Sequence, residues 1–600
     1  MSSPPPVVML PGRTFVAGCA VAAALLLAIG RLAPLPVSLL AAEVFATILA
    51  LFLLGSFRYQ IHKNAVTYGM LIVITATFIG LPGSEWHTQI AQNGWWSWAR
   101  LHLLSFHGLD DLVHADTMLF ILGPTFLVSV IAQTRMLEGI TFRLLRRNGG
   151  AILPTVIAVT AVVAVASGIL DGVSMIGLTI RTLVIILMLA AAPTSSILFA
   201  VMVCTTVTTV CGVWLAYGEP PNLIMKANLH PYLEGTFFLR YCGPIAVGTY
   251  LVVVRHLKKA LAGWRIDLDA MDVLDANAED VRFLQATRHG EVLTPVELIE
   301  GHAAQLGDKA TAVLQRLRGG TAFGRALIQE DVPLEVRQVL LGHYVTEELA
   351  DSLDRHYALD VAGDYEGAMR AEQWVDETLA STAQVRRRAQ RIGALALIPF
   401  VIMLIVHSVD HDVPLFLASF AGFSVAILGI ARIPRMRALA LREARHEYAE
   451  YYFLFPLFLS ITLLTQAGFF DRMETLIQHG LATIGRFPVA WLQFTGSTFL
   501  SAILDNNVVA DFASRALHNL DLSTLHFFAM AQIAGYALGG CWTHIGCAQS
   551  VVAYSFIQRD VDAGYTPVQW IRQMTPVILE MIALITVLLY LESEVLTWLA

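Results

Sequence analysis

The sequence predicts an all-α polytopic membrane protein made of two inverted repeats, with a helical soluble insert between them. Three observations predict it. Of 600 residues, 56% are hydrophobic and only 14% are charged, with a mean hydropathy of +0.63; a soluble domain averages about 25% charged. Apolar runs recur along most of the chain, each near the ~20 residues a helix needs to cross a bilayer. Finally, a polar motif inside those runs occurs twice. Residues 167–183 read SGILDGVSMIGLTIRTL and residues 501–517 read SAILDNNVVADFASRAL. Aligned without a gap, Ser167/Ser501, Ile169/Ile503, Leu170/Leu504, Asp171/Asp505, Arg181/Arg515 and Leu183/Leu517 coincide. A second echo follows each copy: Gly212 and Trp214 then Gly218, against Gly540 and Trp542 then Gly546.

Taken in order, residues 1–35 hold an extra N-terminal helix. Its flank lacks a basic n-region and a cleavage site, so it reads as uncleaved. The first membrane repeat covers 36–254, with spans near 36–55, 65–82, 116–133, 151–170, 173–192, 195–216 and 238–254. Residues 82–115 carry Trp86, Trp95, Trp96 and Trp98 and suit a helix lying at the membrane–water interface. Arg135, Arg143, Arg146 and Arg147 put the next connection on the cytoplasmic side.

From 255 to 391 the chain is dense in Asp, Glu, Arg and Gln. Thr294, Pro295 and Glu297 form a helix start with a capping box, and Val296, Ile299, Leu306, Ala310, Val313 and Leu317 continue at helical spacing to Gly319-Gly320. This is the soluble insert. Its borders, Arg255 to Arg265 and Arg386 to Arg391, are basic, which makes it cytoplasmic. The second repeat covers 392–600, with a connector at 432–445 that holds five arginines and belongs inside. The first motif is then entered from the inside and the second from the outside, the pattern of an inverted repeat.

The six cysteines all lie in apolar segments without metal or disulfide spacing and read as packing residues. No nucleophile triad, cofactor loop or metal motif supports an enzyme, and nothing calls for a cofactor or nucleic acid. The cluster His107, Asp110, Asp111, His114 and Asp116 reads as part of the interfacial helix rather than a metal site.

Charged side chains at bilayer depth mark a function by default. Asp171 is followed by Gly172, and Asp505 by Asn506-Asn507; these residues interrupt helices and free carbonyl oxygens. Irregular backbone survives in a membrane only where it is buried in protein or lines a wet cavity. There a carboxylate and neutral oxygens suit a small hard cation. Arg181 and Arg515 follow each Asp by ten residues, roughly 15 Å of helix, and so reach toward the headgroups. Gly218 to Asn222, GEPPN, is a second break, matched by the Gly-rich strip 539–546 with Thr543 and His544. Two carboxylates facing one cavity repel, so a cation and protons compete for them.

These motifs resemble the ion transporter superfamily, which includes NhaD- and NhaB-like Na⁺/H⁺ antiporters, arsenite permeases and divalent-anion symporters. YGEPPNLI at 217–224 is similar to its broken-helix loop and SAILDNNVV at 501–509 to the hairpin tip of the antiporter branch. The resemblance implies two re-entrant hairpins and two broken helices, an elevator-like transport domain, a homodimer, and cation or proton sites at Asp171, Asn222, Asp505 and Asn506. Glu219, where many members have Thr or a small residue, His544, Cys547 and the insert depart from the pattern.

The sequence thus predicts a multi-pass inner-membrane carrier, in contact with lipid, that exchanges Na⁺ or Li⁺ for H⁺. Asp171, Asp505 and Asn506 form the expected Na⁺ site, with Asn507, Asn222 and Thr543 adding neutral oxygens. Glu219, Ser167, Ser501, Thr206 and His544 are secondary candidates. Each has a plainer reading: the aspartates paired structurally with arginines of the other half, Glu219 solvated at the outer boundary, His544 and the threonine run as packing. Asp511 reads as a solvated or helix-pairing side chain. The alternatives for function are an organic-anion or oxyanion carrier of the same superfamily, and a membrane sensor signalling through the insert.

Overall fold

The computed structural model describes residues 8–9, 11–56, 59–60, 63–81, 85–268, 274, 277–290, 292–319, 321–343, 345–410, 413–449 and 451–596. Among them the fold is helical, apart from a two-residue pairing of Val8–Met9 with Tyr59–Gln60. Eight helical stretches are long and apolar enough to cross a membrane, and four shorter apolar helices accompany them among the described residues. The chain is a multi-pass membrane protein.

Helices α1 (Gly12–Leu32), α2 (Val37–Ser56) and α3 (Lys63–Ile79) open the chain. The next three are α4 (Glu85–Asn93), α5 (Trp95–His102) and α6 (Phe106–Val113). The single interfacial helix expected at 82–115 is therefore three short ones. Gly94, at φ 79, breaks the first from the second, and Ser105 caps the third by accepting from the Gly108 amide. Then come α7 (Ala115–Gln133), α8 (Met136–Arg147), α9 (Ile152–Ser167), α10 (Gly172–Leu189), α11 (Thr194–Thr208), α12 (Pro220–Asn228), α13 (Gly235–Phe237) and α14 (Gly243–Leu261).

The insert runs from α15 (Ala278–His289) through five shorter helices to α21 (Glu347–Val361). It has its own apolar core, in which Ile299, Leu327, Leu349, Leu353, Tyr357 and Val375 are buried. The Thr294 capping box is present. The expected helix from 294 to 319 is split into Pro295–Gly301, Ala303–Leu306 and Lys309–Arg318, interrupted first at His302 and then where Gly307 at φ 57 turns the chain. Gly320, the second glycine of the expected stop, lies outside the described residues.

The border with the membrane part is continuous rather than sharp. Phe283 and Ala286 of α15 pack into the membrane core, and α22 (Tyr365–Leu395) carries straight on toward α23 (Leu397–Val409). Gln390 donates to the carbonyls of Thr134 and Arg135 at the α7–α8 corner (3.1 and 3.0 Å). Buried Arg386 pairs with Glu279 (2.5 Å) and Asp280 (2.7 Å).

The second half continues with α24 (Phe416–Gly429), α25 (Pro434–Ala449), α26 (Leu454–Gln466), α27 (Phe469–Ile484), α28 (Arg486–Ile503), α29 (Asn506–Ser514), α30 (Leu522–Trp542), α31 (Ala548–Phe556) and α32 (Pro567–Tyr590). The arginine-rich connector expected at 432–445 is thus mostly helix. Met436, Leu439, Ala440 and Ala444 recur at helical spacing and are buried, and they turn one face of α25 onto α7. Across the chain, α7 lies against α24 and α25, and α26 lies against α3 and α6.

Candidate functional site

Each half contains the same two helix breaks. α9 ends at Ser167 and α10 begins after Asp171; α28 ends at Ile503 and α29 begins after Asp505. Both aspartates are N-caps with near-identical backbones, φ −55 and ψ 123 against φ −58 and ψ 136. First-turn amides lack intrahelical partners and form the positive end of the helix dipole, so a carboxylate there is doubly favoured. Asp171 accepts from the amides of Ser174 (3.0 Å) and Val173 (3.4 Å), from Ser174 Oγ (2.8 Å) and from the Tyr451 hydroxyl (3.4 Å). Asp505 accepts from the Asn507 amide (3.0 Å) and Asn507 Nδ2 (2.7 Å). Asp171 is 4% exposed and Asp505 half-buried.

The second break separates α11 from α12 and α30 from α31. In each half one backbone bond ties it to the first. The Gly172 amide donates to the Gly218 carbonyl (3.1 Å), and the Asn506 amide donates to the Gly546 carbonyl (3.2 Å). These are the glycines matched by the sequence repeat. A Cβ at Gly218 would overlap the Ser167 carbonyl, and one at Gly546 would stand 2.6 Å from the Ser501 carbonyl oxygen. Backbone cannot rotate out of the way, so the close approach needs glycine. Gly218→Ala is expected to cost about 3 kcal/mol, the upper end for overpacking, read as a lower melting temperature of the detergent-purified protein. An unchanged melt would show that the strip can shift.

Across the halves the pieces exchange partners: α10 packs on α31 and α12 packs on α29. Glu219 precedes α12, is 2% exposed, and accepts from Gln549 Nε2 of α31 (2.8 and 3.1 Å). Its carboxylate presses on Gly172, where a Cβ would overlap it. The solvated-boundary reading of Glu219 is therefore corrected, since its side chain is buried against Gly172 and Gln549. Asp171 and Asp505 both lie within electrostatic reach of Glu219. Tyr451, in the turn before α26, donates to Asp171 and lies within electrostatic reach of Glu219, Glu447 and Asp505. A cavity of about 10 Å³, the room of one water, is lined by Asp171, Tyr217, Gly218, Pro220 and Phe120 among others. Among the described residues, Asn507 Oδ1 is buried without a hydrogen-bond partner, an oxygen suited to a hard cation. Among the described residues no three His, Cys, Asp or Glu side chains come together as metal ligands.

The other candidates hold the breaks together. Asn222 spends its amide on the fold: Nδ2 donates to the Leu215 carbonyl (3.2 Å) and Oδ1 accepts from the Tyr536 hydroxyl (2.6 Å). Asn506 is 2% exposed at the start of α29. Thr543 donates to the Ala502 carbonyl (2.5 Å), and Ser501 donates to the Tyr536 carbonyl (2.7 Å). Ser167 and Thr206 bond back into their own helices, to Ala164 and Val203. His544 packs on the Tyr554 ring (centroids 4.7 Å apart).

Of the two arginines of the repeat, only Arg515 departs from expectation. Arg181 is 45% exposed near Glu443 (4.0 Å). Arg515 does not reach outward. α29 ends at Ser514, and Arg515 folds back one turn onto Asp511 (2.9 Å). Asp511 is fully buried, so its solvated reading is also corrected. It accepts from Asn228 of α12 (2.7 Å) and faces His114 (3.6 Å), while Arg515 donates to Thr465 (3.0 Å) and Thr462 (3.2 Å). No ion pair joins Asp171 or Asp505 to an arginine among the described residues. The acids at 110 and 116 are also structural. Asp110 accepts from the Asp116 amide (2.8 Å), and Asp116 accepts from the amides of Leu415 and Phe416.

Glu447, Tyr451, Ser174 and Gln549 were not singled out from the sequence. The available signal was the i, i+4 spacing of Glu443 and Glu447, then Tyr451, inside the arginine-rich segment. No protein-family model matches the chain, and a search of curated proteins finds no relative.

Proposed function

We propose that the protein is a secondary transporter of the ion transporter superfamily type, exchanging Na⁺ (or Li⁺) for H⁺ across the inner membrane by alternating access. The observation that carries the reading is the pair of Asp-capped helix breaks, one per half, both within electrostatic reach of the buried Glu219. The matched bonds, Gly172 to Gly218 and Asn506 to Gly546, and the exchanged packing of α10 on α31 and α12 on α29 support two inverted repeats with re-entrant hairpins and broken helices. On this reading the basic-bordered insert is cytoplasmic, and the carrier works as a homodimer in lipid.

The chemistry is competition. Clustered carboxylates at membrane depth repel one another, and either a cation or protons relieve that repulsion. Asp171, Asp505 and Asn507 Oδ1, unpartnered among the described residues, offer the oxygen ligands. An anion site would use open helix N-termini, but those of α10 and α29 are already occupied by their own aspartates. This disfavours an anion at those two helix ends.

The test is proton movement in everted membrane vesicles holding the protein, on adding Na⁺, Li⁺, K⁺ or an oxyanion. Na⁺ and Li⁺ are expected to drive protons out of acidified vesicles. A response to the anion alone would reverse the assignment.

A further inference from the structure

The hydroxyl of Ser174 lies 2.8 Å from Asp171 Oδ2 and 3.1 Å from Glu447 Oε2. A hydroxyl carries one hydrogen, and an ionised carboxylate carries none. Ser174 can therefore donate to only one of the two acids. The second contact is a hydrogen bond only if that acid holds a hydrogen of its own. Donor supply decides which acid this is. Asp171 also accepts from two backbone amides and from Tyr451, which suits an anion. Among the described residues, Glu447 Oε2 has only a long contact from Ser129 Oγ (3.4 Å) besides Ser174.

The groups facing Glu447 fit that assignment. Asp171 and Arg181 come from the start and middle of α10, Glu443 lies one turn back on α25, and Tyr451 lies in the turn beyond. Two of these are acids, and Arg181 is already shared with Glu443. Glu443 also accepts from Gln133 Nε2 (2.6 Å), and its side chain is 29% exposed. α25 therefore carries a ladder of two carboxyls from the protein surface to the buried Asp171.

We infer that Glu447 is a proton-carrying residue that delivers protons to Asp171, and takes them back, through the Ser174 hydroxyl. The inference rests on the exchange reading above. In the delivery step Glu447 gives its hydrogen to Ser174 Oγ while the hydroxyl passes its own to Asp171 Oδ2. Glu447 ends ionised, Asp171 protonated and Ser174 neutral, with its hydrogen now toward Glu447. One proton has moved and no electrons have. The Glu443–Arg181 mouth is where water resupplies Glu447.

Two fluxes on the same everted vesicles test this: Na⁺-driven proton movement, and exchange of radioactive Na⁺ for Na⁺, which needs no proton. In Glu447→Gln and Ser174→Ala the ratio of the first to the second is expected to fall roughly 100-fold, the low end of what a positioned proton donor supplies. Should Glu447→Gln lose both fluxes, Ser174→Ala decides by the same ratio. A wild-type ratio in Ser174→Ala overturns the relay and leaves the exchange reading standing. A wild-type protein that moves no protons with any cation overturns both.

Discussion

Replacing Asp171 by asparagine is expected to abolish Na⁺-driven proton movement while leaving the protein folded and in the membrane. Asparagine is as good an N-cap as aspartate, so it can still accept from the Ser174 and Val173 amides that begin α10. It can neither bind a proton at working pH nor attract a cation as an anion. The effect therefore falls on transport and not on structure. Asp505→Asn should behave alike, since Asp505 caps α29 in the same backbone geometry. The check is flux in everted vesicles, normalised to the amount of purified protein and its melting temperature. Full flux in Asp171→Asn would make that aspartate only a helix cap.

Asp511→Asn is expected to do the reverse. Asp511 is fully buried and holds Arg515, Asn228 and His114. Through them it binds α29 of one half to α12 of the other and to the segments carrying His114, Thr462 and Thr465. Removing one charge of a buried pair leaves its partner uncompensated, at a cost of about 3–5 kcal/mol. The amount of folded protein and the melting temperature should fall steeply, while flux per surviving molecule stays close to wild type. A normal melt with lost flux would move Asp511 into the transport site. Asp505 and Asp511 lie in the same copy of the repeat, so the two substitutions separate a packing role from the proposed chemical one.

The repeat was the most legible feature of the sequence, since a gapless match of charged and small residues at membrane depth survives without any structure. It found Asp171, Asp505, Gly218 and Gly546, and the matched bonds of the two breaks follow from those positions. What the sequence hid was contributed by distant segments. Glu447 and Tyr451 lie more than 270 residues from Ser174 and Asp171 along the chain. The helix that carries Glu447 reads as a basic connector, because five arginines at 432–445 mask the buried face of Met436, Leu439, Ala440 and Ala444. Polar type alone also did not show how some candidates are held. Asn222 and Thr543 are amide and hydroxyl at a break, and each also bonds to nearby backbone or to Tyr536. The second split of the 294–319 helix turned on Gly307, whose positive φ no hydrophobic pattern announces.

The central claim is that a small cation and protons compete for the carboxyls at the two helix breaks. The most direct measurement is proton release from the purified protein in weakly buffered detergent solution when Na⁺ is added. The account predicts that wild-type protein releases protons saturably with Na⁺, and that the double variant Asp171→Asn/Asp505→Asn releases none. Saturable Na⁺ binding without proton release, or the same release from the double variant, would contradict it.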